Sequence, residues 1–214
     1  MTRPRLLDLF CGAGGAAMGY HRAGFDVTGV DIRPQPRYPF DFVQADAMTY
    51  PLDGFDAIHA SPPCQDHMRS PGPAYESHRT GWMLPATRSR LTVTGLPWII
   101  ENVPGAAMRP DLKLCGCMFG LPHLKRERWF ETSWRAFELR QPCDHRTGTM
   151  SVTGTSPGSR TEKLVFGRWP TRLDWQRAMG IDWMNRYELT QAIPPQYTEH
   201  IGARLLEHLA GVAP

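Results

Sequence analysis

Six short segments of the chain carry side chains able to do chemistry. In Ser61-Pro62-Pro63-Cys64-Gln65, two prolines pre-set the backbone and hold the next side chain, a thiol, in place. A thiolate held that way is a nucleophile for covalent catalysis; in a plain Pro-rich loop the same cysteine would be structural. Glu101-Asn102-Val103 offers an acid that can hydrogen-bond or protonate a ring nitrogen, or simply stand solvated at a strand end. Lys125-Arg126-Glu127-Arg128 places two arginines at i and i+2, which share one face in a strand, or form a surface charge run. Asp8-Leu9-Phe10-Cys11-Gly12-Ala13-Gly14-Gly15 is a glycine turn that lets backbone N–H groups approach a ligand. Finally, Cys115-Gly116-Cys117 and Cys143-Asp144-His145 contain a Cys₃His set. That C-x-C spacing is tighter than most zinc knuckles. The reading preferred is buried cysteines and a turn histidine, with no metal.

These segments need elements to position them. Residues 6–10 form an apolar run that ends in the glycine cluster, as a buried parallel strand entering a tight turn does. Residues 16–23 read as a helix. Residues 27–32, 42–45, 55–60 and 98–103 read as further strands, with a helix over 84–94 before the last. Strands alternating with helices indicate an α/β fold with a doubly wound, mostly parallel sheet. Tyr197, Ile201, Leu205 and Leu209 recur every four residues, as on one face of an amphipathic helix, and Pro194-Pro195 sits where a first turn tolerates proline. Residues 66–81 and 146–163 have loop composition.

The turn does not complete a dinucleotide pattern, because Ala17 stands where a third glycine would be. Asp31 follows at the end of the second strand, where a carboxylate can accept both ribose hydroxyls. Asp46 follows the third strand, within reach of an adenine amino group. A ligand with an adenosine and no pyrophosphate points to S-adenosylmethionine.

Composition limits the alternatives. The chain has 214 residues, 41% hydrophobic and 21% charged, which suits one α/β domain and a small lobe. No apolar run approaches the ~18–20 residues that span a bilayer, so no membrane association is expected. Five cysteines, an odd number, fit a reduced cytoplasmic setting. The total charge of +3 is unevenly spread: residues 121–172 hold ten basic and five acidic side chains, leaving −2 elsewhere. A basic lobe on a near-neutral body suits a polyanion such as DNA, though a solvated surface would look alike.

Taken in order, the glycine turn, Pro-Pro-Cys, Glu-Asn-Val and Arg-x-Arg resemble the motifs of the DNA cytosine-5 methyltransferase family, especially its short phage-type members. Gln191-Ala192-Ile193-Pro194-Pro195 resembles the closing motif of that family. The resemblance implies a class I, Rossmann-like methyltransferase fold with a reduced target-recognition lobe. It implies Cys64, Glu101, Arg128 and Arg126 as catalytic residues. Phe10, Gly12, Ala13, Gly14, Gly15, Asp31, Ile32, Asp46, Ala47, Pro62, Gln191 and Ala192 would bind S-adenosylmethionine. Pro63, Gln65, Ser70, Gly72 and Asn102 would face the flipped base and its DNA. The implied division is 1–130 for the catalytic core, 131–170 for the reader and 171–214 for closing helices, acting as a monomer on double-stranded DNA. So short a reader implies a recognition site of about 2–4 base pairs. Leu124, where the family usually has glutamine, and Thr190-Gln191, where it has Gly-Asn, depart from the pattern without removing a reacting group. An RNA or nucleotide cytosine methyltransferase and a non-catalytic DNA-binding regulator on the same fold are the alternatives.

Overall fold

The computed structural model describes residues 2–63, 81–121, 123–136, 138, 142–145, 150, 152 and 167–211. Cys64, Gln65, Ser70 and Gly72 lie outside them, as do most of the two loop segments. Seven strands form one sheet: β1 (Arg5–Leu9), β2 (Asp26–Asp31), β3 (Asp41–Gln44), β4 (Ala57–Ala60), β5 (Trp98–Asn102), β6 (Leu112–Leu114) and β7 (Arg128–Thr132). Their order across the sheet is β3-β2-β1-β4-β5-β7-β6. The pairings from β3 through β5 are parallel, and β7 runs antiparallel to both β5 and β6. The helices are α1 (Gly15–Ala23), α2 (Met83–Thr92), α3 (Arg172–Met179), α4 (Arg186–Gln191) and α5 (Pro195–Leu209).

The central strands are apolar because both sheet faces are covered. Successive residues serve opposite cores. Leu6 and Ile99 pack with Tyr20, Phe25, Tyr197, Ile201 and Leu205 beneath α1 and α5. Leu7 and Ile100 pack with Ile58, Leu84 and Leu91 beneath α2. Each such aliphatic side chain contributes about 1.5–3 kcal/mol by leaving water. A third cluster joins Ala13, Leu124, Trp175, Met179, Leu189 and Ala192, linking α3 and α4 to the glycine turn.

The two helices on the first face approach closely. A Cβ added at Gly19 of α1 would lie 2.1 Å from both Pro195 O and Thr198 Oγ1 of α5. Only a residue without a side chain allows that separation. Thr198 Oγ1 donates to Ala16 O at 2.8 Å across the same contact. Proline at the first position of α5 forfeits an N–H that no helix could have used. Capping boxes start α3 at Thr171 with Asp174, and α4 at Asn185 with Glu188.

The strands and the first and last helices read from the sequence fall within two residues of those observed. One reading does not hold: β7 starts at Arg128, so Arg126 lies before the strand and the two arginines do not share a strand face. Among the described residues no helix is long and apolar enough to cross a membrane. Parallel strands running one way on each side of β1 make a crevice at their carboxyl ends, between β1 and β4. In open α/β sheets such a switch point is where ligands bind.

Candidate active site

Strand β1 delivers the glycine turn to the crevice. Phe10, Gly12 and Gly14 have φ values of 58°, 50° and 84°, so the chain leaves β1 through three left-handed residues and enters α1 at once. The Asp31 carboxylate locks this turn from the neighbouring strand. Its Oδ2 accepts from Gly12 N–H at 3.0 Å and its Oδ1 from Arg33 N–H at 2.9 Å. Each oxygen retains acceptor capacity for a further donor. A Cβ at Gly12 would meet nothing within 4 Å, so the turn borders open space. Ile32, 67% exposed, and Asp46, whose Oδ1 accepts from Met48 N–H at 2.8 Å, stand beyond β2 and β3. Ala47 beside Asp46 is buried.

The closing segment meets the same turn from above. A Cβ at Gly15 would lie 2.5 Å from Ile193 O and 3.2 Å from Ala192 Cβ. Trp183 Nε1 donates to Ala13 O at 2.8 Å. Gln191 is exposed and donates to Thr190 Oγ1 at 3.0 Å. Open space over Gly12, a carboxylate with spare acceptors and an exposed apolar side chain fit an adenosine-bearing ligand.

The acid end lies on the next two strands. Glu101 is 6% exposed on β5, and Arg128 Nε pairs with its Oε1 at 3.0 Å. Burial pushes the Glu101 carboxyl above the usual range, against the opposing pull of Arg128, a hydrogen bond from Ser61 and the charge of Arg126. Asn102 Nδ2 donates to Pro62 O at 3.1 Å, tying the end of β5 to the Pro-Pro segment. Ser61 N–H donates to Leu9 O at 3.1 Å, tying that segment to β1. Pro62 is buried and Pro63 half-buried.

Behind Glu101 runs a hydrogen-bonded chain. Tyr20 Oη and His59 Nδ1 are 2.9 Å apart, and His59 Nε2 and Ser61 Oγ are 2.9 Å apart. Ser61 in turn bonds Glu101. Burial drives the His59 pKa down to about 3, so its imidazole is neutral and carries one proton. With the proton on Nε2, every donor in the chain points toward Glu101, from Tyr20 to His59 to Ser61. Asp8 lies buried on β1, and neither of its oxygens has a hydrogen-bond partner among the described residues. Burial, followed by the charges of Asp31 and Glu101, holds its carboxyl far above the usual range.

The two arginines divide their tasks. Arg128 reaches Glu101. Arg126, 5% exposed, donates through Nε to Ala192 O at 2.9 Å and through Nη2 to Thr190 O at 2.8 Å. A third bond goes to Val152 O. Tyr197 Oη donates to Arg126 O at 2.7 Å. Arg126 therefore clamps the closing segment rather than facing the acid.

No family model matches the chain. A local match to the type II methyltransferase M.XorII of Xanthomonas oryzae pv. oryzae is 60% identical over 35 residues, 16% of this chain and 8% of that protein. The fold recurs at full length. Dnmt2 methyltransferase of S. pombe superposes with a TM-score of 0.63, at 16% identity, over 97% of this chain and 99% of that one. A prophage-encoded E. coli protein, described as a candidate DNA modification methyltransferase, gives 0.61 at 16% identity over 97% and 99%. A Spodoptera frugiperda DNMT2 mutant gives 0.61 at 15% identity over 95% and 100%. The chain resembles the DNA cytosine-5 methyltransferases in motif order and in fold. Its sheet is the mixed seven-stranded Rossmann-like sheet of methyltransferases.

Against that family pattern, the glycine turn, Asp31, Pro62, Glu101, Asn102, Arg128 and Ala192 come together around the carboxyl ends of β1, β4 and β5, while Cys64 lies outside the described residues. Tyr20, His59 and Ser61 are absent from the sequence-derived set. A histidine within the apolar run of β4 was the available signal, since a fully buried imidazole needs partners. Cys115, Cys117, Cys143 and His145 also come together, away from this crevice in sequence, which their spacing alone did not favour.

Proposed function

We propose that the chain transfers a methyl group from S-adenosylmethionine to C5 of cytosine in double-stranded DNA, through a covalent adduct on a flipped-out base. The observation that carries this reading is the neighbourhood of β1, β4 and β5. Their carboxyl ends bear, in spatial order, the glycine turn, the Pro-Pro segment that leads into Cys64, and the buried Glu101 paired with Arg128.

S-adenosylmethionine supplies an electrophilic methyl on its sulfonium. Asp31 would hold the ribose, Asp46 and Ile32 the adenine, and the backbone at Phe10–Gly15 the remainder, with Gln191 and Ala192 closing the pocket. Cytosine C5 is a poor nucleophile. The Cys64 thiolate adds to C6, and the pair of electrons from the C5–C6 bond moves to C5. Glu101 hydrogen-bonds or protonates N3, relieving the charge that the addition builds in the ring. Arg128 holds the base O2 and keeps Glu101 in place, and the Tyr20–His59–Ser61 chain fixes the carboxyl from behind. C5 then bonds the methyl while the departing sulfur keeps the S–C electron pair; the C5 proton is lost to solvent, and the C5–H electrons re-form the C5=C6 double bond and expel the Cys64 thiolate. A base stacked in a duplex cannot reach such a crevice, so it must be flipped out at a cost of a few kcal/mol. Residues 131–170 would be the DNA reader, on a protein acting as a monomer.

Full-length protein incubated with methyl-labelled S-adenosylmethionine and either duplex DNA or RNA, followed by digestion to nucleosides, tests this. The expected product is labelled 5-methyldeoxycytidine. Label in N4-methylcytosine or N6-methyladenine, or in RNA alone, would refute it.

A further inference from the structure

Outside the crevice, one cluster has ligand chemistry of its own. Cys115 follows β6, Cys117 lies in the short 3₁₀ turn Gly116–Phe119, and Cys143 and His145 come from a segment without regular structure. One ligand atom from each lies within 4.8 Å of every other. His145 turns Nε2 toward the sulfurs, 3.5 Å from Cys115 Sγ and 3.9 Å from Cys117 Sγ. A tetrahedral zinc, with Zn–S about 2.3 Å and Zn–N about 2.0–2.1 Å, sets its S···N edges near ~3.5 Å and its S···S edges near ~3.8 Å. The four atoms therefore need only a small contraction to share one ion.

We infer that Cys115, Cys117, Cys143 and His145 form a structural zinc site that clasps the basic segment to the β6 edge of the sheet. The ligand set is soft and has four members, which suits zinc and leaves no position for substrate. A closed set of this kind stabilises rather than catalyses. The physical need is visible in the chain. Residues 142–145 belong to no helix or strand, and a reader of about forty residues is below the ~70–80 that supply a sufficient core alone. One ion would join two points that lie on either side of β7 in the chain. The site also abuts the arginine clamp. Cys115 Sγ lies 3.8 Å from Leu124 O, and Phe119 stacks on Tyr197 with ring centroids 5.1 Å apart, the same Tyr197 that bonds Arg126.

The test is metal analysis of the full chain, purified under reducing conditions without chelator and then equilibrated with Zn(II) and gel-filtered. About one zinc per chain is expected. Cys143→Ser and His145→Ala should lose it, Cys11→Ser should keep it, and His145→Cys, which restores four ligands, should also keep it. Co(II) in place of zinc should give the intense visible absorption of a tetrahedral thiolate site. That spectrum on the unmutated chain remains decisive if a variant fails to fold. Less than about a tenth of an equivalent of zinc, a weak octahedral cobalt spectrum, or a disulfide within the cluster would overturn the inference.

Discussion

His59 offers the most discriminating test of the buried chain behind Glu101. Its ring is fully buried, is bonded at both nitrogens, and is held neutral by a pKa of about 3. In the unfolded chain the same imidazole titrates near ~6.5. Between those values the unfolded state binds a proton that the folded state refuses. Stability supplied by the neutral buried ring is thus complete above about pH 6.5 and is lost toward pH 3, at about 1.4 kcal/mol per pH unit. His59→Gln keeps hydrogen-bonding capacity and removes the titration. At pH 7 it should cost about 1–3 kcal/mol, for one buried partner left imperfectly satisfied. The raised carboxyls of Asp8 and Glu101 act with the opposite sign, because they take up protons first in the folded state. Both proteins carry them, so the difference between the two isolates His59. Urea unfolding followed by tryptophan fluorescence at pH 7, 6 and 5 should show the gap closing, with the curves meeting near about pH 5. A gap constant within about 0.5 kcal/mol across that range would refute a neutral, buried His59.

Arg126→Ala removes a charged fork from three backbone carbonyls and should cost about 3 kcal/mol or more, with Arg126→Lys intermediate because an ammonium cannot span all three. Thermal unfolding should fall by at least ~6 °C, and a change below about 2 °C would show that the clamp holds nothing. Gly19→Ala forces a methyl against Pro195 O and Thr198 Oγ1, and calorimetry should find the overpacked protein about 1–3 kcal/mol less stable. Cys64→Ser should abolish methyl transfer while equilibrium dialysis still detects S-adenosylmethionine binding; full turnover by that variant would contradict covalent catalysis.

Much of the fold was legible because it rests on local pattern. Strands β1, β2, β4 and β5 are apolar runs ending in glycine, acid or proline, and these same ends carry the candidate site. The β6–β7 edge was less legible: Leu112–Leu114 is three residues long and its pairing depends on a strand fourteen positions later. The spacing of Arg126 and Arg128 suggested one shared face. Arg126 instead follows carbonyls at residues 190 and 192, a partnership that no window around residue 126 contains. The Tyr20–His59–Ser61 chain was missed for a similar reason, since its members come from α1, β4 and the segment after β4. The Cys₃His ligands were visible as residue types, but only the fold brings their two halves within one coordination sphere.

The close contact between α1 and α5 has a consequence for how the chain is made. Ala16 and Thr198 are 182 positions apart, yet they share a hydrogen bond beneath the glycine turn. At about 5–20 residues per second, a ribosome needs roughly 10–40 s to synthesise the stretch between them. Throughout that interval Tyr20, Phe25 and Val27 lack the side chains that cover them in the finished core. Such non-local closure slows folding and leaves apolar surface open to aggregation. The nascent chain should therefore depend on chaperones until α5 emerges, and protease protection of α1 during synthesis should appear late and all at once.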